Sequence, residues 1–197
     1  MIRLFLIGVD VFPAAIILFP ILLLLDKMYF HNHKKTFFYF IYSVYLASIY
    51  VVTGLPTITY FQTELYFNLI PFLDMIYDFK NVILNIILFI PLGIIMPLLW
   101  ERFRNLKQIF LWSLGTTLTI EILQIFTYRT TDINDIITNV TGATIGYCIT
   151  KVILKKFPNS LVNTAKTNDL YLLYSLTFII MFFIQPIISS AIWNLIL

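Results

Sequence analysis

Six stretches of this chain are apolar for so long that they decide its surroundings: residues 4–25, 37–52, 82–99, 109–126, 136–154 and 170–193. A membrane-crossing helix needs about 20 mostly apolar residues. Between the runs there is little to make a soluble surface, because only 12% of the residues are charged, against roughly 25% in an ordinary soluble domain. The expectation is an all-α, polytopic membrane helix bundle of about six transmembrane helices, forming a single membrane domain over residues 1–197. The first run has only Arg3 ahead of it, carries Asp10 and lacks a small-residue cleavage site before Asp26. It therefore reads as a retained helix rather than a signal peptide.

The basic residues fix an orientation. Lys27, Lys34 and Lys35 lie between runs one and two, Arg102, Arg104 and Lys107 between three and four, and Lys151, Lys155, Lys156 and Lys166 around the end of run five. Ten of the thirteen basic residues thus fall in alternate loops, as cytoplasmic loops require. Both termini are expected outward, in a multi-pass protein of the cell membrane. This distribution serves topology, and no nucleic-acid partner is expected. The loop at 53–80, "TGLPTITYFQTELYFNLIPFLDMIYDFK", is then outward. It is too aromatic for a floppy linker and is expected to lie in the interface or dip partly into the bundle.

Polar residues inside the spans are costly, about 2.5–3.5 kcal/mol for a charge at a helix centre, so they face protein or water. In the fourth run Glu121 and Gln124 share a face with Thr117 and Tyr128. Glu121 lies ~21 Å from Lys107 at ~1.5 Å per residue, toward the outside. Ahead of and within the fifth run stand Asp132, Asp135, Asn139, Gly142 and Gly146, which fall within an arc of roughly 80° at ~100° per residue. Asn81 and Asn85 open the third run, followed by Pro91 and Gly93, a place for a kink or close packing. Three helices thus deliver polar groups to the outer half of the membrane. They predict a polar pocket on the extracytoplasmic side, lined by Asn85, Glu121, Gln124, Asp132, Asp135 and Asn139, with Arg129 at its rim.

Simpler roles compete. Asp132 and Asp135 also suit the first turn of a helix as cap and dipole partner. Glu121 also suits an ion pair with Arg129. Gly142 and Gly146 suit close helix packing. Asn81 suits a cap, Asp10 a pairing with Lys80, and His31 and His33 a solvated loop. Cys148 is the single cysteine and has no metal-ligand spacing. No HExxH, P-loop or GxSxG pattern occurs. No cofactor or metal site is expected, although three carboxylates suit a divalent cation, and catalytic residues are not defined.

The segments "NLIPF" at 68–72, "NVILNIILFIPLG" at 81–93, "EILQ" at 121–124 and "RTTDINDIITNVTGATIG" at 129–146 resemble the VanZ-like family in order, spacing and wording. The resemblance covers about 37–154. Residues 1–36 form an extra helix and basic loop, and residues 155–197 a linker and last helix. The motif positions are Asn68, Pro71, Asn85, Pro91, Gly93, Glu121, Gln124, Arg129, Asp132, Asp135, Asn139, Gly142 and Gly146. The resemblance implies an outward-facing role at the bacterial cell envelope, since the name-giving members are linked to resistance against glycopeptide antibiotics, teicoplanin in particular. The leading expectation is a binder of an envelope lipid headgroup, a lipid-linked cell-wall precursor or a lipoglycopeptide antibiotic, with membrane lipids as partners. The alternative is an enzyme acting on a lipid-linked headgroup in the outer leaflet, with Glu121 as base and Asp132 and Asp135 as a metal site. A transporter or scaffold is the third reading. Transport asks for a polar path continuing inward, and the lower halves of runs three to five offer none.

Overall fold

The computed structural model describes residues 2–60, 66–72, 75, 77–127, 129–156 and 165–196. The architecture is all-α. Helix α1 (Ile2–Leu25) ends in a wide turn at Asp26–Phe30, and α2 spans His33–Thr53. Helices α3 (Phe79–Leu99), α4 (Leu106–Gln124) and α5 (Ile133–Lys156) follow. The sixth apolar run is α6 (Thr167–Ile179), a wide turn at Ile180–Ile184, and α7 (Gln185–Ile196) in continuous succession. Five helical segments among the described residues are long and apolar enough to cross a membrane. Helix α4 is not in that group. Lys107 and Gln108 at one end and Glu121 and Gln124 at the other shorten its apolar stretch, and Ser113, Thr116, Thr117 and Thr119 interrupt it.

The chain divides into two compact units. One comprises Met1–Gln62 and Lys166–Leu197, the other Thr63–Ala165. The first unit buries Ala14, Leu18 and Leu22 of α1 with Tyr39 and Tyr42 of α2 and Leu173 of α6. Several of its buried polar groups are paired. Lys35, read as a topology signal, is buried, and its ammonium lies 2.7 Å from Asp169 Oδ2. The Tyr39 hydroxyl donates to the same oxygen at 2.6 Å. The ammonium also sits 5.3 Å from the ring centres of Phe30 and Tyr39. Between α1 and α2, Asp26 Oδ1 accepts from the Asn32 amide at 2.9 Å and the Thr36 hydroxyl at 2.6 Å. His33, exposed as expected, reaches Asp26 Oδ2. Asp10, for which Lys80 is an expected partner, accepts hydrogen bonds from Ser189 and Trp193.

The second unit is organised by α3 against α5. A β-carbon on Gly142 would fall on the carbonyl of Ile86, one on Gly146 on that of Ile90, and one on Gly93 on that of Ala143. Only a bare backbone lets the two helices come this close. Pro97 removes the N–H that would otherwise bond the Gly93 carbonyl, and the Thr150 hydroxyl of α5 lies 3.4 Å from that oxygen. Pro91 sits within the same continuous helix. Below these contacts Phe89, Leu92, Met96, Trp100 and Phe103 complete the core.

Candidate functional site

The polar positions of α3, α4 and α5 gather where α5 begins. Asp132 caps this helix. Its Oδ1 accepts from the Asn134 amide at 2.8 Å, and its Oδ2 accepts from Asn68 Nδ2 at 3.1 Å. The Asn68 contact belongs to a short parallel pairing of β1 (Phe67–Asn68) with β2 (Thr131–Asp132). Asn134 in turn accepts the amide of Phe72 at 2.7 Å, where the chain turns after the exposed Pro71 with a left-handed φ of 64°. Residues 66–72 of the long aromatic loop are thereby docked onto the start of α5. Residues 61–65, 73, 74 and 76 of that loop lie outside the described residues.

Two polar contacts join helices across this region. On the α3–α5 side, Asn85 Nδ2 donates to Asp135 Oδ1 at 2.6 Å. On the α4–α5 side, Asn139 Nδ2 donates to the Thr117 hydroxyl at 2.9 Å. One turn further along α4, Glu121 Oε2 accepts the backbone N–H of Asp132 at 2.9 Å, and its carbonyl accepts from the Thr131 hydroxyl at 3.1 Å. That amide stands where an ion pair with Arg129 is the simpler expectation. Arg129 is exposed, yet close enough to act electrostatically on both Glu121 and Asp135. Tyr128, expected on the Glu121 face, lies outside the described residues. Asn81 donates to Asp78, just ahead of α3, at 2.7 Å.

Exposure falls steeply inward. Arg129 is open, Asn85, Asp132 and Asp135 are half-buried, and Glu121, Gln124 and Asn139 are buried. At the inner end the polar atoms are not all matched: Glu121 Oε1 and Asn139 Oδ1 are buried without a hydrogen-bond partner. Both are acceptors, on residues only 3% exposed. Leaving such a group unmatched costs about 1–3 kcal/mol, more if it is charged. The arrangement therefore suits a group that donates hydrogen bonds. Among the described residues no group of three or more His, Cys, Asp or Glu side chains is placed to hold a metal ion. Asn134 and Thr131 were not among the expected site residues. Asn134 is displaced by ~200° from Asp132 around the helix, so the helical arc passes over it. Its role comes from the docked loop.

Fold and seam together define a helical, multi-pass membrane protein with an ionisable cluster held between helices. The family model described as VanZ/LLP1 matches residues 36–155, more than half of the chain, and the chain belongs to that family. It is also 38% identical over 93 residues to Protein VanZ of Enterococcus faecium, an overlap covering 47% of this chain and 55% of that protein. The chain thus spans about half the length of this curated relative. No solved structure is similar to it.

Proposed function

We propose that this is a cell-envelope protein whose α4–α5 seam binds a donor-rich polar group of an envelope lipid headgroup or a lipoglycopeptide from the extracytoplasmic side, and that it contributes to resistance against glycopeptides such as teicoplanin. The observation that carries the reading is the pair of buried acceptors, Glu121 Oε1 and Asn139 Oδ1, left unmatched on facing helices. Amine and hydroxyl groups are the donors that would complete them. Arg129 at the rim suits a phosphate or carboxylate through its two-pronged fork. The docked loop exposes Leu69, Ile70 and Phe72, each more than half accessible, a suitable bed for an acyl chain. The alternation of basic loops supports the outward direction.

The test is drug susceptibility in a glycopeptide-sensitive Gram-positive host expressing the protein. Wild type raises the inhibitory concentration of teicoplanin. Glu121→Gln and Asp135→Asn remove that protection while membrane abundance, read by immunoblot, stays the same. Equal protection from both variants would overturn the proposal.

A further inference from the structure

The unit formed by α1, α2, α6 and α7 carries a second polar site, built from none of the α3–α5 residues and centred on Asp10, which precedes the residues matched to the family. A cavity of about 340 Å³ opens beside Asp10. Its wall includes Tyr50, Thr57, Gln185, Ser189, Ser190 and Trp193. Asp10 sits in the first turns of an apolar span, where a carboxylate needs a reason to be. One of its oxygens, Oδ1, accepts from the Ser189 hydroxyl at 2.6 Å and from Trp193 Nε1 at 3.1 Å. The backbone carbonyl of Asp10 accepts from Gln185 Nε2 at 2.9 Å. These bonds, all from uncharged donors, fix the carboxylate in place. Among the described residues that line the cavity none is a lysine, arginine or histidine. The lining combines one fixed negative charge, the hydroxyls of Thr57, Ser189 and Ser190, and the aromatic side chains of Tyr50 and Trp193.

The depth of the cavity narrows the choice of ligand. It lies at the N-terminal part of α1, the C-terminal end of α2 and along α7 from Gln185 to Trp193. That is the end of this unit opposite Lys27, Lys34 and Lys35, hence the outer headgroup level by the same charge rule. Trp193 is the kind of residue found at that level. We propose that the cavity binds a primary ammonium group, with Asp10 as its counter-charge. A primary ammonium fits better than a quaternary one, because its three N–H donors match the carboxylate and the hydroxyl oxygens around it. A volume of this size holds a small headgroup.

The experiment uses the full-length protein in mild detergent and native mass spectrometry. Equimolar phosphatidylethanolamine and phosphatidylcholine are offered to wild type, to Asp10→Asn and to Ser190→Leu. The Asn side chain keeps an oxygen for Ser189 and Trp193, so the wall is preserved while the charge is lost. The Leu side chain fills the cavity without touching Asp10. Wild type should retain the ethanolamine lipid over the choline lipid by about tenfold or more, the size of one charge-assisted hydrogen bond. Both variants should lose that preference at unchanged melting temperature. Equal retention of the two lipids by wild type, or an undiminished preference in both variants, overturns the proposal. Competition with free ethanolamine then identifies the source. Displacement supports recognition of the amine alone, and failure to displace a selectively bound lipid supports a lipid-borne ammonium.

Discussion

Two buried carboxylates in this protein are treated in opposite ways. Asp169 Oδ2 carries the Lys35 ammonium at 2.7 Å, the Tyr39 hydroxyl at 2.6 Å and the Lys166 amide at 3.2 Å. Glu121 Oε2 carries one backbone amide. Each residue has a second oxygen without a partner, so the difference is the charge of what surrounds the first. A carboxylate taken out of water is tolerated when a cation and further donors accompany it. Asp169 has that company and acts as a strut between α2 and α6. Glu121 has one backbone amide and only the longer-range influence of the exposed Arg129. The contrast argues that the Glu121 environment is completed by something other than its own fold.

The largest expected effect tests the strut. Lys35→Met leaves Asp169 buried without its cation and should cost about 3–5 kcal/mol, seen as a large drop in the melting temperature of the purified protein. Combining it with Asp169→Leu should recover most of the loss. If the single variant melts like wild type, the contrast with Glu121 collapses. Next come the glycines. Gly146→Leu places side-chain atoms on the Ile90 carbonyl and should cost roughly 1–3 kcal/mol through forced separation of α3 and α5. The same substitution at Gly8, where an added β-carbon meets nothing, should leave the melting temperature unchanged. Asp132→Ala removes the cap of α5 and the Asn68 contact, and should cost about 1 kcal/mol. The smallest effect is the most telling. Glu121→Gln keeps an oxygen for the Asp132 amide and removes only the charge, so stability should move by less than about 1 kcal/mol.

The helices were legible in the sequence because their signal is local. Six apolar runs became six helical segments, and the spacing of Gly142 and Gly146 anticipated the close approach to α3. The residues gathered at the start of α5 were legible for the same reason, as an arc on one helix face. What was not legible is what pairs at long range. Lys35 read as one of a basic cluster, yet its partner lies far along the chain on α6. Asp10 found Ser189 and Trp193, at the opposite end of the sequence. Asn134 escaped because its partner is the backbone of a loop, and a backbone amide leaves no mark in composition or periodicity. The inward fall in exposure is likewise a product of packing. Spacing alone suggested an open pocket, whereas Glu121, Gln124 and Asn139 are buried.

The central claim is that Glu121 is held for a ligand rather than for the fold. It is tested most directly by equilibrium binding of teicoplanin and of a lipid-linked cell-wall precursor to purified wild type and Glu121→Gln in nanodiscs, with melting temperatures taken on the same preparations. The account predicts saturable binding of at least one of them to wild type, weakened about tenfold or more in the variant, at an unchanged melting temperature. Equal affinity in the two proteins, or no saturable binding of either compound to wild type, would contradict it.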